Sequence, residues 1–153
     1  MSALLDNVDP TGLEEFSVVF TDRSLNHMST TFQDVMNDIS SMLKEVYNAD
    51  AVVLIPGGGT FGMEAVARQF ARNAKALVVR NGWFSYRWSQ ILESGGMTSE
   101  TTVLKAYRTG NISQAPFAPA PINEVVEAIH AQVPDVVFAP HVETSAGIIL
   151  PDN

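Results

Sequence analysis

The chain contains no cysteine in its 153 residues. Disulfides, thiolate zinc sites and cysteine nucleophiles are therefore excluded from it, and the absence fits a cytoplasmic protein. Positive charge is scarce: nine Lys and Arg stand against 17 Asp and Glu, for a net charge of -8. A surface this acidic repels phosphate backbones, so nucleic acid is not an expected partner. No apolar run approaches the roughly 20 residues that span a bilayer, so a membrane is not an expected partner either. The Met1–Asp6 stretch has an early acid and no basic n-region, unlike a signal peptide. There is no internal repeat, no low-complexity tract and no G-x-S-x-G nucleophile turn. What remains is an ordinary globular composition, 46% hydrophobic and 17% charged, with length enough for one real core.

The periodicities alternate. Phe32, Val35, Met36, Ile39, Met42, Leu43, Val46 and Tyr47 recur at helical spacing, predicting an amphipathic helix over 29–48 with Ser29 or Thr30 as cap. Ala51–Ile55 is a short apolar, β-branched run between Asp50 and Pro56, expected to be a strand buried on both faces. Gly57-Gly58-Gly59 makes a turn, and the Ala-containing segment 60–70 a helix. A strand at Ala76–Val79, a helix from Phe84 to Leu92 ending near Gly95-Gly96, and a strand at Thr101–Tyr107 follow. Thr109–Pro121 is expected to be a long surface connection. Pro121 opens a helix over 122–133, and Val136–Ala139 is a further buried strand. Alternating strands and helices predict an α/β fold, a mostly parallel sheet with flanking helices. The organisation expected is an amino-terminal segment with the first long helix over 1–50, then an α/β unit over 51–153. Pro151-Asp152 would lead into another helix, so the sheet looks unfinished and the chain reads as a fragment. An incomplete sheet leaves an exposed edge that invites association.

Three stretches fall where open α/β sheets bind ligands, at the carboxyl ends of strands. The first is the glycine turn, where free N–H groups at a helix N-terminus favour phosphate and Thr60 adds a hydroxyl. A tight turn that binds nothing is the plainer alternative. Gly57, Gly59 and Gly62 also satisfy G-x-G-x-x-G, a dinucleotide fingerprint. The next strand, however, ends in Arg80 instead of the usual acid, which would suit a 2′-phosphate. The second stretch, Asn81–Trp88, holds four aromatics in six positions, for ring stacking or for core and interface packing. The third, His141–Ser145, is dense in hydrogen-bonding groups. His141 and Glu143 lack the third protein ligand that a catalytic zinc needs, so no metal is assigned. His27 and His130 sit in no motif.

Taken together and in order, these segments resemble class V pyridoxal-phosphate-dependent aminotransferases, nearest the alanine–glyoxylate and serine–glyoxylate branch. Asn26–Phe32 is similar to S-H-R-S-x-x-F, and Pro56–Ala65 resembles G-S-G-T-x-x-x-E-A. Asn81–Arg87 resembles N-G-x-[WF]-G-x-R, and His141–Gly147 resembles H-x-E-[ST]-S-T-G. The resemblance implies a fold-type I large domain, incomplete here, and pyridoxal 5′-phosphate as cofactor. It implies that Gly58, Gly59 and Thr60 hold the cofactor phosphate, that Phe84 stacks on the pyridine ring, and that Thr144 bonds near the phenolic oxygen. It further implies a homodimeric transaminase acting on a small amino acid and a 2-oxo acid, alanine- or serine-like and glyoxylate- or pyruvate-like. Three positions depart from the family pattern: Gly58 replaces a hydroxyl residue, Met28 an arginine and Ser85 a glycine. The family's aspartate for the pyridine nitrogen and its cofactor-bonding lysine follow the last motif, and Lys44, Lys75 and Lys105 match neither position. The chain alone is therefore expected to be inactive, with its catalytic lysine beyond Asn153. The alternatives are an NAD(P)-binding oxidoreductase module built on Gly57, Gly59 and Gly62, and a non-catalytic interaction domain.

Overall fold

The computed structural model describes residues 27–150, in two compact units divided between Ile55 and Pro56. The expected lead-in at Pro151-Asp152, the Met1–Asp6 stretch and Asn26 lie outside the described residues.

In the first unit, α1 runs from Thr30 to Tyr47. Ser29 caps it as the sequence predicts, its Oγ accepting from the Phe32 N–H at 3.1 Å. Asn48 ends it in the left-handed conformation, φ 47°, and its N–H bonds back into the last turn. The apolar stripe is present, but much of it is exposed among the described residues; Val46 is 74% accessible. The expected strand at Ala51–Ile55 does not form. No ladder pairs it among the described residues, and Val53 is 80% exposed. β-branched composition favours an extended backbone, yet a strand exists only where a neighbour accepts its N–H and C=O groups.

The second unit holds the sheet. Its elements in order are α2 (Gly59–Phe70), β1 (Lys75–Arg80), α3 (Trp83–Gly95), β2 (Glu100–Lys105), β3 (Tyr107–Arg108), β4 (Phe117–Ala118), α4 (Ile122–Gln132), β5 (Val136–Phe138), β6 (Val142–Glu143) and β7 (Ile148–Ile149). β1 lies between β2 and β5, and both pairings are parallel. The α/β class with a parallel sheet and flanking helices is thus realised. The chain leaves β1 for β2 on one side and returns across to β5 on the other, so the crevice above their carboxyl ends is the natural ligand position.

β1 is central because its middle four residues, Ala76 to Val79, are all apolar and all buried. Ala76 and Val78 face a cluster with Ala67 of α2 and its C-cap Ala71, Leu92 of α3, Met97 and Phe138. Alanines at 67 and 71, one turn apart, let α2 approach closely. Trp88 stacks on Phe138 with centroids 4.3 Å apart, so part of the aromatic run is core. Each fully buried Leu or Val side chain here contributes about 1.5–3 kcal/mol. Gly96, φ 54°, ends α3 as a left-handed cap.

Two shorter expectations are corrected. The strand over 101–107 ends at Lys105, and Tyr107 turns into an antiparallel pair with Ala118. The connection over 109–121 is therefore partly a two-residue ladder. Alternation over so few residues leaves no pattern to detect.

Candidate functional site

The candidate residues lie on two helix starts and one short hairpin, all within the second unit. α2 begins at Gly59, with Gly58 as N-cap. Gly57 makes the turn possible. Its φ of +122° suits glycine, and a Cβ would meet the Phe61 ring at 2.5 Å. Gly58 and Gly59, in contrast, would have no atom of the described residues within 4 Å of an added Cβ. The backbone there is open on its outer side, and a helix start leaves its first N–H groups without intrahelical acceptors. Thr60 is half-buried, and its Oγ1 accepts from Arg87 Nη1 at 2.7 Å. The open end of α2 thus combines backbone donors, a hydroxyl and a guanidinium, a donor set that favours an anion.

Arg87 comes from α3 and links the two helix starts. Its guanidinium also lies 5.5 Å from the centroid of the Phe84 ring. That ring is 43% exposed at the first turn of α3. A recess of about 420 Å³ runs between the helices beside Thr60, Glu64, Arg68 and Arg87.

The start of α3 is built differently, because it is filled from within. Glu143, with no accessible surface, brings its carboxylate under the first turn. Phe84 N–H donates to Oε1 at 3.0 Å, and Ser85 N–H to Oε2 at 2.8 Å. The Ser85 hydroxyl donates to Oε2 at 2.6 Å, and the Ser145 hydroxyl donates to Oε1. Ser145 Oγ accepts from Trp83 N–H at 2.8 Å, and Ser85 Oγ from the N–H groups of Asn81 and Gly82 at 2.8 and 3.0 Å. Burial pushes the Glu143 carboxyl up. The bonds from Ser145, Ser85 and the Ser85 and Phe84 backbone pull it down further, and the net position lies below the ordinary carboxylate range. Gly82 is required by close approach. A Cβ there would sit 2.6 Å from Ser145 Oγ and 2.7 Å from Glu143 Cγ.

Thr144 lies between these two anchors in the β6–β7 hairpin and is exposed. The structure therefore ties Gly58, Gly59 and Thr60 to α3 through Arg87, displays Phe84 on α3, and ties Thr144 to α3 through Glu143 and Ser145. His141 is exposed, and both oxygens of Glu143 are occupied by α3 donors and the two hydroxyls. The pair considered for a metal is thus divided between surface and clamp. Among the described residues no group of three His, Cys, Asp or Glu could hold a metal ion. No described helix is long and apolar enough to cross a membrane.

Sequence reasoning missed Glu143, Ser85 and Ser145 as a clamp, and Arg87 as the link to Thr60. Glu143 and Phe84 are 59 positions apart, beyond any local pattern. The only visible signal was a serine in place of the glycine common in the resembling motif, directly after Phe84.

The fold is shared with ureidoglycine–glyoxylate aminotransferase from Bacillus subtilis, at a TM-score of 0.63 and 24% identity, over 79% of this chain and 30% of that one. In sequence the chain is similar to the small subunit of soluble hydrogenase from Synechococcus sp. (strain PCC 6716), 28% identical over 128 residues, 82% of this chain and 31% of that protein. No protein-family model matches. The chain thus spans about a third of the length of each protein it resembles. The aminotransferase-type fold expected from the motifs is the fold found.

Proposed function

We propose that this chain is the cofactor-cradling portion of a class V pyridoxal-phosphate-dependent aminotransferase, and that the five residues named from the motifs hold the cofactor. The observation that carries this is the Arg87–Thr60 bond, which joins the open start of α2 to the helix that displays Phe84. The residues present fit the group. Backbone N–H groups at Gly59 and Thr60, with the Thr60 hydroxyl and the Arg87 guanidinium beside them, suit a phosphate dianion. Phe84 offers a half-exposed face for a pyridine ring, with Arg87 fixing its orientation. Thr144 supplies an exposed hydroxyl on a hairpin that Glu143 and Ser145 hold in place.

When bound, the cofactor would supply the sink for the electron pair left on an amino acid's Cα as its proton departs. The part played by this chain is to bind and orient. The α2 end fixes the phosphate, Phe84 fixes the ring plane and Thr144 donates toward a ring oxygen. None of Lys44, Lys75 or Lys105 is assigned the proton transfer. The catalytic lysine, the homodimer and the substrate pair belong to the proposal for the whole protein. A small amino acid and a 2-oxo acid such as glyoxylate are favoured, and the name of the Bacillus subtilis protein supports glyoxylate as acceptor. A cytoplasmic location goes with this reading.

The dinucleotide alternative is less well supported. Gly62 would have open space around a Cβ among the described residues, none of which packs closely enough there to require glycine. The strand that should precede the fingerprint is unpaired among the described residues.

The test is amino-group transfer from alanine or serine to glyoxylate by the parent protein, with the Thr60→Ala and Phe84→Ala variants alongside. We expect turnover, reduced in both variants, and none from residues 1–153 alone. A well-folded parent that takes up no cofactor would overturn the proposal and favour an interaction domain.

A further inference from the structure

A second recess, of about 390 Å³, lies at the carboxyl end of the sheet; it shares Asn81, Gly82 and Trp83 with the α3 joint but none of the residues assigned to the cofactor. Arg80, Asn81, Trp83, Tyr86, Lys105 and Phe117 line it. The ladder explains how two cations meet here. Arg80 is the register partner of Lys105 on parallel neighbours. Such partners project from the same face, with strands about 4.8 Å apart. Ala76 and Val78 precede Arg80 on that face and pack beneath the helices. Arg80 Nη1 reaches toward Ser89 Oγ of α3 at 3.4 Å, and its guanidinium lies 5.0 Å from the Tyr86 ring centroid. Arg80 is therefore held on the α3 side, and Lys105 projects from the same face at the end of the sheet.

Five features distinguish this recess from ordinary surface. No acidic residue among those described lines it, although the chain carries a net charge of -8. Neither Arg80 nor Lys105 is in an ion pair among the described residues. Arg108, 5.5 Å from the Phe117 ring centroid, places a third of the chain's nine Lys and Arg at the rim. Three aromatic rings form the remaining wall, with Trp83 59% exposed. Finally, Asn81 is 3% exposed, and neither polar atom of its amide has a hydrogen-bond partner among the described residues. An unpaired buried amide costs about 1–3 kcal/mol, which a fold tolerates more readily where a ligand can satisfy it.

We propose that this recess binds a planar organic anion, an aromatic carboxylate. Its carboxylate sits between Arg80 and Lys105, and its ring lies against Trp83 and Phe117. Phosphate alone fits less well. The nearby N–H groups at the start of α3 are already taken by Glu143 and Ser145, and three aromatic walls would go unused. The site is separate from the one assigned to the cofactor and does not depend on that assignment.

The experiment is calorimetric titration of the complete chain with 2-naphthoate, with quenching of tryptophan fluorescence as a second readout. Lys105 is exposed, so Lys105→Gln should fold. It should weaken 2-naphthoate about fivefold or more, the loss of one partly exposed charge contact. Arg80→Gln should weaken it by at least as much. Neutral 2-naphthylmethanol, saturated cyclohexanecarboxylate and inorganic phosphate should each bind about tenfold more weakly or worse, each lacking the charge or the ring that the site engages. Thr60→Ala should leave 2-naphthoate binding unchanged. An unchanged affinity in Lys105→Gln would overturn the proposal. So would phosphate binding as tight as 2-naphthoate, loss of binding in Thr60→Ala, or no binding at millimolar 2-naphthoate.

Discussion

The two helix starts of this site obey one rule and reach opposite outcomes. Both α2 and α3 follow a glycine and present free N–H groups with a partial positive charge. At α3 the chain supplies its own anion, the buried Glu143 carboxylate, with Ser85 and Ser145 completing the shell. At α2 the backbone beside Gly58 and Gly59 is open, with Thr60 and Arg87 next to it. A helix start satisfied from within is a structural joint, and one left open with a cation beside it is a binding end. The joint serves the binding end, because it fixes the helix that carries Phe84 and Arg87.

The contrast is most exposed to attack at the joint. Glu143→Ala removes the acceptor of four donors at a buried position, and should cost about 3 kcal/mol in chemical denaturation. The same group sets a pH dependence. Its folded-state pKa lies below its unfolded value. Its contribution is therefore complete above the unfolded carboxylate range and is lost as pH falls through the folded value. Wild type should lose stability on acidification below about pH 4.3 more steeply than Glu143→Gln, which has no proton to take up there. Equal slopes would remove Glu143 from this role. Gly82→Ala should cost about 2 kcal/mol, since its methyl would overlap Glu143 and Ser145. Thermal midpoints unchanged from wild type would show that the approach is looser than described.

At the binding end the same operations should affect ligand more than fold. Arg87→Gln removes a partly buried cation from the cradle and should weaken pyridoxamine phosphate about tenfold, with little change in thermal midpoint. A large fall in stability with unchanged affinity would move Arg87 to the joint. The smallest effect is expected from Gly58→Ser. The position is an extended N-cap with free space around it, so a serine should add a few tenths of a kcal/mol at most. A substantial loss would mean that the cradle is closed.

The same comparison marks what was legible in the sequence. Apolar patterning located α1, β1, α3, α4 and β5, because their apolar residues either recur at helical spacing or run contiguously, and that pattern shows even in α1 and α4, which have no fully buried residue among those described. Ala51–Ile55 and Lys75–Arg80 look alike as sequence, yet among the described residues one is unpaired and the other is the centre of the sheet. Pairing is a long-range property, and composition reports only the preference for extension. The open α2 start was readable because its glycines and threonine are contiguous. The filled α3 start was not, because its acceptor arrives from a hairpin some 60 positions later. Glu143 invited a metal reading for the same reason, since an acid near a histidine reveals nothing of the donors beneath it.

The most direct test of the central claim, that the open end of α2 is a phosphate cradle beside a stacking ring, is a paired titration of the chain. Pyridoxamine 5′-phosphate and pyridoxamine would be compared by calorimetry in wild type and Thr60→Ala. The account predicts that the phosphorylated ligand binds at least about tenfold more tightly, and that Thr60→Ala removes most of that difference, as loss of one hydroxyl contact and of the anchor for Arg87 should. Equal affinity for the two ligands, or a preference untouched by Thr60→Ala, would contradict it.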